Sequence, residues 1–176
     1  MVTLKTIEPS DYQAVDSLIR RAFTNTEEGY GNEAELVANL RKDPTYQSYF
    51  EIVALKNDTV VGHGLLSEVS VCKDDETMST GLCLAPLAVL PQEQNQGIGA
   101  KILTELETRA KQEDYPFISI LGHPAYYSKF GYQLARHYYI QAPFPVPEEA
   151  YFIKELYPNS LKNVQGTICY LEAFNE

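Results

Sequence analysis

The chain has 176 residues, 44% of them hydrophobic and 22% charged, which is ordinary for one soluble globular domain. Its formal net charge of −10 argues against non-specific binding to nucleic acid or to an anionic membrane. The three cysteines, Cys72, Cys83 and Cys169, are widely spaced and suggest neither a disulfide framework nor a zinc motif. We expect a single domain over 1–176 with no bound metal.

The first part of the chain predicts a strand, two amphipathic helices and a hairpin. In the first helix, Val15, Leu18, Ile19 and Ala22 form the apolar stripe. In the hairpin, Gly62 and Gly64 interrupt the second strand and predict a bulge or a close backbone approach. The predicted elements are a strand at 2–7, a helix from 10 or 11 to 23, a loop at 24–32, a helix at 33–41, and strands at 50–56 and 59–71.

The second part of the chain is organised around a central strand at 82–90, which is apolar on both faces and therefore expected to be buried on both. The helix that follows it has an apolar stripe formed by Ile98, Ile102, Leu103, Leu106 and Ala110. The other predicted elements are a polar hairpin loop at 73–80, the helix at 97–111, a strand at 117–121, a short helix or turn at 124–130, and strands at 132–140, 151–156 and 166–173.

The N-terminus predicts no targeting segment. Met1 leads directly into a strand pattern, and no apolar stretch has the length of a signal core or of a transmembrane helix. We therefore expect a cytoplasmic protein.

A polar loop between the central strand and the next helix is the first candidate site. It contains Gln94, Gln96, Gly97 and Gly99. The first amides of a helix lack intrahelical partners, and glycine lets a ligand approach the backbone, so the amides of 95–100 can cradle a pyrophosphate. Two established phosphate motifs, GxGxxG and GxxxxGK[ST], are absent. Taken alone, the two glycines are also compatible with a simple tight turn.

Two linked segments resemble the GNAT superfamily of N-acetyltransferases. LAVLPQEQNQGIGAKIL is similar to the family's acetyl-CoA signature, in which Gln94, Gly97 and Gly99 are the matching positions. Downstream, YYSKFGY resembles the family's Tyr-x-x-x-Gly-Phe turn through Tyr127 and Gly131, although Tyr132 replaces the commoner Phe. The resemblance covers about residues 60–132.

The resemblance implies an α+β fold with a mixed, mostly antiparallel central sheet that is splayed at the central strand and flanked by helices on both faces. It also implies transfer of an acetyl group from acetyl-CoA, as co-substrate, to an amine. The residues expected to contact acetyl-CoA are Leu87, Ala88, Val89, Gln94, Asn95, Gln96, Gly97, Ile98, Gly99, Ala100 and Tyr126.

The catalytic candidates follow from what amine acetylation requires. By its match to the family's tyrosine, Tyr127 is the candidate acid that protonates the departing thiolate. The base that deprotonates the amine is less well defined. The candidates are Glu33, which lies on the helical region facing the acceptor in this family, His123 at the end of its strand, the alternatives Glu68 and His63, and a chain of water molecules.

Several alternatives stay open. Cys83 or Cys72 as an acetylated intermediate is disfavoured, because no neighbouring His or Asp motif activates either thiol, so we expect direct transfer. A rival function is a non-catalytic module that binds and senses acyl-CoA. Modification of nucleic acid is disfavoured by the acidic composition. The acceptor is not readable from sequence: polyamine, antibiotic, amino acid and protein N-terminus all fit. A homodimer is common in the family.

Overall fold

A computed structural model describes residues 1–24, 26–27 and 29–175. Its backbone divides into unit 1, formed by Met1–Leu66 and Ala85–Arg109, and unit 2, formed by Ser67–Leu84 and Ala110–Glu176. Two strands, β3 and β4, and one helix, α3, cross the boundary, so each unit contains part of all three.

Unit 1 combines an antiparallel sheet with three helices. β1 pairs with β2, and β2 pairs with the first part of β3. Val61 is an extra residue in that second ladder, and its carbonyl accepts a hydrogen bond from the Leu90 amide at 3.0 Å. The elements are β1 (Val2–Thr6), α1 (Tyr12–Thr24), α2 (Glu33–Leu40), β2 (Glu51–Lys56), part of β3 (Thr59–Lys73), the end of β4 (Glu76–Val89) and most of α3 (Ile98–Gln112).

The helices of unit 1 bury the apolar stripes that periodicity predicts. All four predicted positions of α1 are buried. The predicted stripe of α3 is buried as well, with Ile98 the most exposed of its members at 2%. In α2, the buried residues are Ala34, Val37 and Leu40. The 3.6-residue period thus predicts which face of α1 and which face of α3 is buried.

Unit 2 contains the remaining strands and a short helix. β5 pairs in parallel with β4 and antiparallel with β8, which also pairs antiparallel with β6. The final strand, β9, pairs antiparallel with β3 and in parallel with β7. The elements are β5 (Phe117–Leu121), α4 (Pro124–Tyr127), β6 (Gln133–Leu134), β7 (Ile140–Gln141), β8 (Tyr151–Glu155) and β9 (Gly166–Tyr170). The mixed, mostly antiparallel pairing confirms the predicted fold class.

Two predicted segments are wrong. The polar stretch 73–80 is not a long loop, because β3 extends to Lys73 and β4 begins at Glu76. Only Asp74 and Asp75 form the turn, and both adopt positive φ, which aspartate tolerates better than most residues. The residues that follow the turn in β4 are mostly polar because this end of the strand is exposed to solvent.

The predicted strand 132–140 is also wrong. The chain forms only β6, then a 3₁₀ helix over Ala135–Tyr138, and then β7. Tyr139 lies between the 3₁₀ helix and β7 with φ of 60°, which is outside the range of β-strands and interrupts the predicted strand.

Within the predicted loop 24–32, Asn25 and Glu28 lie outside the described residues. Every helix in the described part of the chain is too short or too polar to cross a bilayer.

Candidate active site

The loop that leads into α3 lies in unit 1 and leaves its backbone open. Asn95 and Gly97 have positive φ values of 65° and 80°, and all residues from Gln94 to Gly97 are exposed to solvent. The Gly97 carbonyl accepts the Lys101 amide at 3.1 Å, so Gly97 is the residue from which α3 begins. A Cβ built on Gly97 would meet no atom within 4 Å. Glycine is therefore favoured there by backbone conformation and leaves open space around the helix N-terminus.

The first half of the loop is anchored by side chains. The Gln94 side-chain amide donates to the Val89 carbonyl at 3.1 Å, which ties the loop back to the end of β4. The Lys56 ammonium forms a 2.9 Å ion pair with Glu93. The sequence predicts that Gln94 contacts acetyl-CoA. In the structure one end of its side chain supports the loop.

Helix α3 packs directly on two glycines of β3. A Cβ on Gly64 would lie 2.6 Å from Ile102 Cγ2 and 3.1 Å from Leu106 Cδ1. A Cβ on Gly62 would lie 2.9 Å from Ile102 Cδ1. The close approach expected from these glycines is thus confirmed, and it fixes the position of the helix whose N-terminus carries the loop.

Unit 2 carries the tyrosine motif on a short helical segment. His123 caps α4, which runs straight into a 3₁₀ helix over Ser128–Phe130, and Gly131 closes it with φ of 86°. A positive φ explains the glycine of the motif.

Tyr127 is mostly buried, but its hydroxyl has no hydrogen-bond partner among the described residues. Its ring lies against Gly122, where a Cβ would be 2.3 Å from Tyr127 Cε2, and it packs edge-on against Tyr126 at 4.9 Å between ring centroids. Burial raises the pKa of Tyr127, with a smaller contribution from Tyr126. The phenol is therefore protonated at neutral pH and able to donate a hydrogen bond.

His123 and Tyr126 flank Tyr127 in the same segment. His123 is exposed, and its Nδ1 accepts the Ala125 amide at 3.2 Å. In a neutral imidazole this bond places the proton on Nε2. Tyr126 is half-buried, and burial raises its pKa.

Glu33 begins α2 in unit 1. Its carboxylate accepts the Gly31 amide, with the nearer oxygen at 2.8 Å. It is half-buried, and it helps close the turn before the helix. Glu68, in unit 2, accepts a 2.6 Å hydrogen bond from the Tyr115 hydroxyl.

His63 belongs to a buried ionic cluster in unit 1 that sequence reasoning missed. Its Nε2 lies 2.7 Å from Glu51 Oε2, and both side chains are fully buried. Arg41 binds both Glu51 oxygens, at 3.1 and 2.6 Å, and the Tyr46 hydroxyl donates to Glu51 at 2.6 Å. Arg41 also lies 3.8 Å from the centre of the Tyr12 ring.

Burial alone would raise the pKa of Glu51, but the hydrogen bonds from His63 and Arg41 outweigh it and lower the pKa to about 2. Glu51 therefore stays ionised within the cluster. The arrangement is typical of a structural ion pair rather than of an accessible base.

Comparison with known proteins identifies related acetyltransferases. The model of the acetyltransferase (GNAT) domain matches residues 3–135. The chain is 32% identical over 168 residues to an uncharacterized N-acetyltransferase, YhbS, of Escherichia coli K12, and the match covers 95% of each chain. It is 29% identical over 148 residues to a second uncharacterized N-acetyltransferase of that strain, YjhQ, covering 84% of this chain and 78% of the relative.

Solved structures give the same result. The crystal structure of E. coli YhbS in complex with CoA superposes with a TM-score of 0.87 at 30% identity, covering 99% of this chain and 92% of that one. A GNAT-family acetyltransferase from Brucella melitensis, in complex with acetyl-CoA, superposes with a TM-score of 0.80 at 22% identity, covering 99% and 98%. At that identity the second match shows the fold alone.

Together the fold and these matches define an acyltransferase. The chain belongs to the GNAT family of N-acetyltransferases.

Proposed function

We propose that this chain transfers the acetyl group of acetyl-CoA directly to an amine of a small-molecule or peptide acceptor. The observation that carries the proposal is the open N-terminus of α3, where Asn95 and Gly97 turn an exposed loop into a helix whose first amides lack intrahelical partners. Such amides, together with the helix dipole, favour an anion. The similar YhbS protein was crystallised with CoA, which contains a pyrophosphate.

In this proposal the amides of residues 95–100 bind the pyrophosphate, and the pantetheine arm runs along the last residues of β4, Leu87, Ala88 and Val89. The side-chain contacts of Gln94 and Glu93 support this role in pyrophosphate binding. A loop that is already ordered loses little entropy when it binds a ligand. Tyr126, half-buried in unit 2, is assigned to the coenzyme as well.

Tyr127 is proposed as the acid. Its raised pKa keeps the proton on the phenol, and its hydroxyl is not used by any described residue. A thiolate leaving group needs such a donor, and direct transfer then requires no acetylated enzyme. Cys83 does not suit a covalent role, because burial raises the pKa of its thiol to about 12.

Glu33 is proposed as the base for the amine. Its carboxylate accepts one backbone amide and keeps lone pairs for a second partner. In the neutral His123 side chain only Nδ1 can accept a further proton. Protonation there would break the hydrogen bond that Nδ1 accepts from the Ala125 amide, so the role of His123 as a base stays a prediction. The net charge of −10 suits a cationic acceptor.

The test is release of free CoA thiol from acetyl-CoA in the presence of an amine panel that includes polyamines, amino acids, aminoglycosides and peptide N-termini. Release with at least one amine, together with a mass gain of one acetyl group on that amine, is expected. CoA binding without turnover on any amine would favour the non-catalytic sensing module, and absence of CoA binding would contradict both.

Three further assignments belong to this proposal. Residues 1–176 act as one acetyltransferase domain, since the family model runs through segments of both units. The protein acts in the cytoplasm, where acetyl-CoA is available. Sedimentation of the purified chain decides between a monomer and the homodimer that is common in the family.

A further inference from the structure

Two of the three cysteines, far apart in sequence, lie next to each other in unit 2. β3 and β9 pair antiparallel, with Ser70 opposite Cys169 and Cys72 opposite Thr167. Residues opposite each other in a sheet point to the same face, and so do residues two apart in one strand. Cys72 and Cys169 are therefore diagonal neighbours on a single face.

That face is accessible to solvent. Val69 and Val71 of β3 and Ile168 of β9 point the other way and are at most 2% exposed. Cys72 is half-buried and Cys169 is exposed. Beside Cys72, a surface cleft of about 400 Å³ is lined by residues that include Lys73, Tyr139 and Gln165. Lys73 and Asp74 both line the cleft, so it carries charges of both signs. A small reagent can therefore reach the pair.

The Cys169 thiol donates a long hydrogen bond, 3.9 Å, to the carbonyl of Thr167 in its own strand. The neighbouring Cys72 thiol, with a smaller contribution from burial, raises the pKa of Cys169 to about 11. Polar neighbours on the same face are paired among themselves: Ser70 with Thr80 at 3.1 Å, and Gln141 with Thr167, also at 3.1 Å. The strand register thus makes the two cysteines neighbours, and Cys169 is accessible on the exposed face.

We propose that Cys72 and Cys169 form a redox-active dithiol site, which small-molecule disulfides of the glutathione type convert reversibly into an intramolecular disulfide between β3 and β9. One cysteine thiolate attacks the reagent disulfide, which forms a mixed disulfide and releases one reagent thiolate. The second cysteine attacks the mixed disulfide and releases the other reagent thiolate. Two protein thiols lose two protons and two electrons, and the reagent takes up both electrons.

The position of the pair in the ladder predicts that the bond is labile. Diagonal neighbours in an antiparallel pair lie about 7–8 Å apart at Cα. Disulfides usually span about 4.4–6.8 Å between Cα atoms, so this bond forms only with a local shift of the two strands and is strained. Strained and exposed disulfides are readily reduced, and they are the ones used for regulation. The site is therefore suited to reversible oxidation rather than to permanent cross-linking.

The experiment uses the full chain, fully reduced and then exposed to oxidised glutathione, with thiol counting in denaturant and intact-mass measurement. Of the three thiols, two are expected to disappear with a mass loss of two hydrogen atoms, a peptide linking Cys72 to Cys169, and full reversal by reduced glutathione. Stable glutathione adducts on wild-type protein with no internal bond, or no reaction of either thiol, would overturn the proposal.

Variants separate the site from general thiol chemistry. Cys169→Ser and Cys72→Ser should each retain a glutathione adduct on the remaining surface cysteine and form no internal bond. Cys83→Ala is the matched control, because Cys83 is only 3% exposed, and it should behave as wild type. Circular dichroism verifies that each variant is folded. An internal bond that persists in Cys72→Ser, through Cys83, would also contradict the assignment.

Discussion

Unit 1 contains two polar sites that differ in how completely their groups are used. Around Glu51 both carboxylate oxygens accept two hydrogen bonds each, from Arg41, Tyr46 and His63. At the N-terminus of α3 the backbone around Asn95 and Gly97 is exposed, and no neighbouring atom fills the space beside Gly97.

The difference separates polar groups that stabilise the fold from polar groups that remain able to bind a ligand. A buried carboxylate whose lone pairs are all satisfied has nothing left to offer a ligand, and removing one partner leaves an uncompensated charge. Helix amides without intrahelical partners keep their capacity to bind an anion. We therefore expect changes at the Glu51 cluster to alter unfolding, and changes at the α3 loop to alter coenzyme affinity.

The largest effect is expected for Glu51→Ala, which leaves Arg41 and His63 buried without their anion. Loss of one partner of a buried pair costs about 3–5 kcal/mol of unfolding free energy. Glu105→Ala is the matched control, because its ion pair with Arg109 is 39% exposed on the glutamate side, and it should change stability by about 0.5 kcal/mol or less. Urea unfolding measures both, and equal effects would remove the distinction.

Acid should weaken the same cluster. The folded-state pKa of Glu51 is lowered from its ordinary 4.5 to about 2, so its contribution is present above pH 4.5 and is lost as the pH falls toward 2. The shift corresponds to about 3 kcal/mol. Urea midpoints across this range should fall in wild type and fall less in Glu51→Gln. The same pH dependence in both proteins would assign acid sensitivity to other carboxylates.

Tyr127→Phe extends the comparison to unit 2, where a hydroxyl without a partner among the described residues resembles the open loop rather than the fully bonded carboxylate of Glu51. Removing the proposed acid should lower kcat by roughly 100-fold and leave CoA affinity unchanged. The reaction is followed by thiol release with the best amine from the panel. Tyr157→Phe, at a side chain that is 50% exposed, should retain full activity. Unaltered turnover in Tyr127→Phe would remove this residue from the mechanism.

Gly97→Val should weaken CoA binding by roughly 30-fold, about 2 kcal/mol, because a branched side chain disfavours positive φ and blocks the approach to the amides. Gly29→Val is the control, since Gly29 has a similar φ of 72° and equally open surroundings. It should incur similar backbone strain and bind CoA normally. Calorimetric titration distinguishes the two, and equal loss in both variants would attribute the effect to strain.

Local periodicity and turn chemistry were enough to predict much of this molecule. The apolar stripe of α3 follows from spacing within one helix, and the loop before it from Gly97 and Gly99 together with the resemblance to a known family. The close approach at Gly64 was also foreseeable, since a glycine inside a strand marks such a contact.

Features built from distant segments were not predicted. Glu51 meets partners from a helix end, a loop and the next strand, and no local pattern connects Arg41, Tyr46 and His63 with it. The same reason concealed the Cys72–Cys169 pair, which only the register of β3 with β9 reveals. The anchoring of Gln94 on Val89 depends on backbone geometry that residue identity does not encode.

The most direct test of the central claim is a titration of the isotope-labelled chain, followed by the NMR signals of its backbone amides, with CoA and in parallel with pantetheine, which lacks the pyrophosphate. We predict that CoA moves the amide signals of residues 95–100 most strongly and that pantetheine leaves them in place. CoA binding that leaves those amides unmoved, or equal shifts with both ligands, would show that the open N-terminus of α3 does not hold the pyrophosphate.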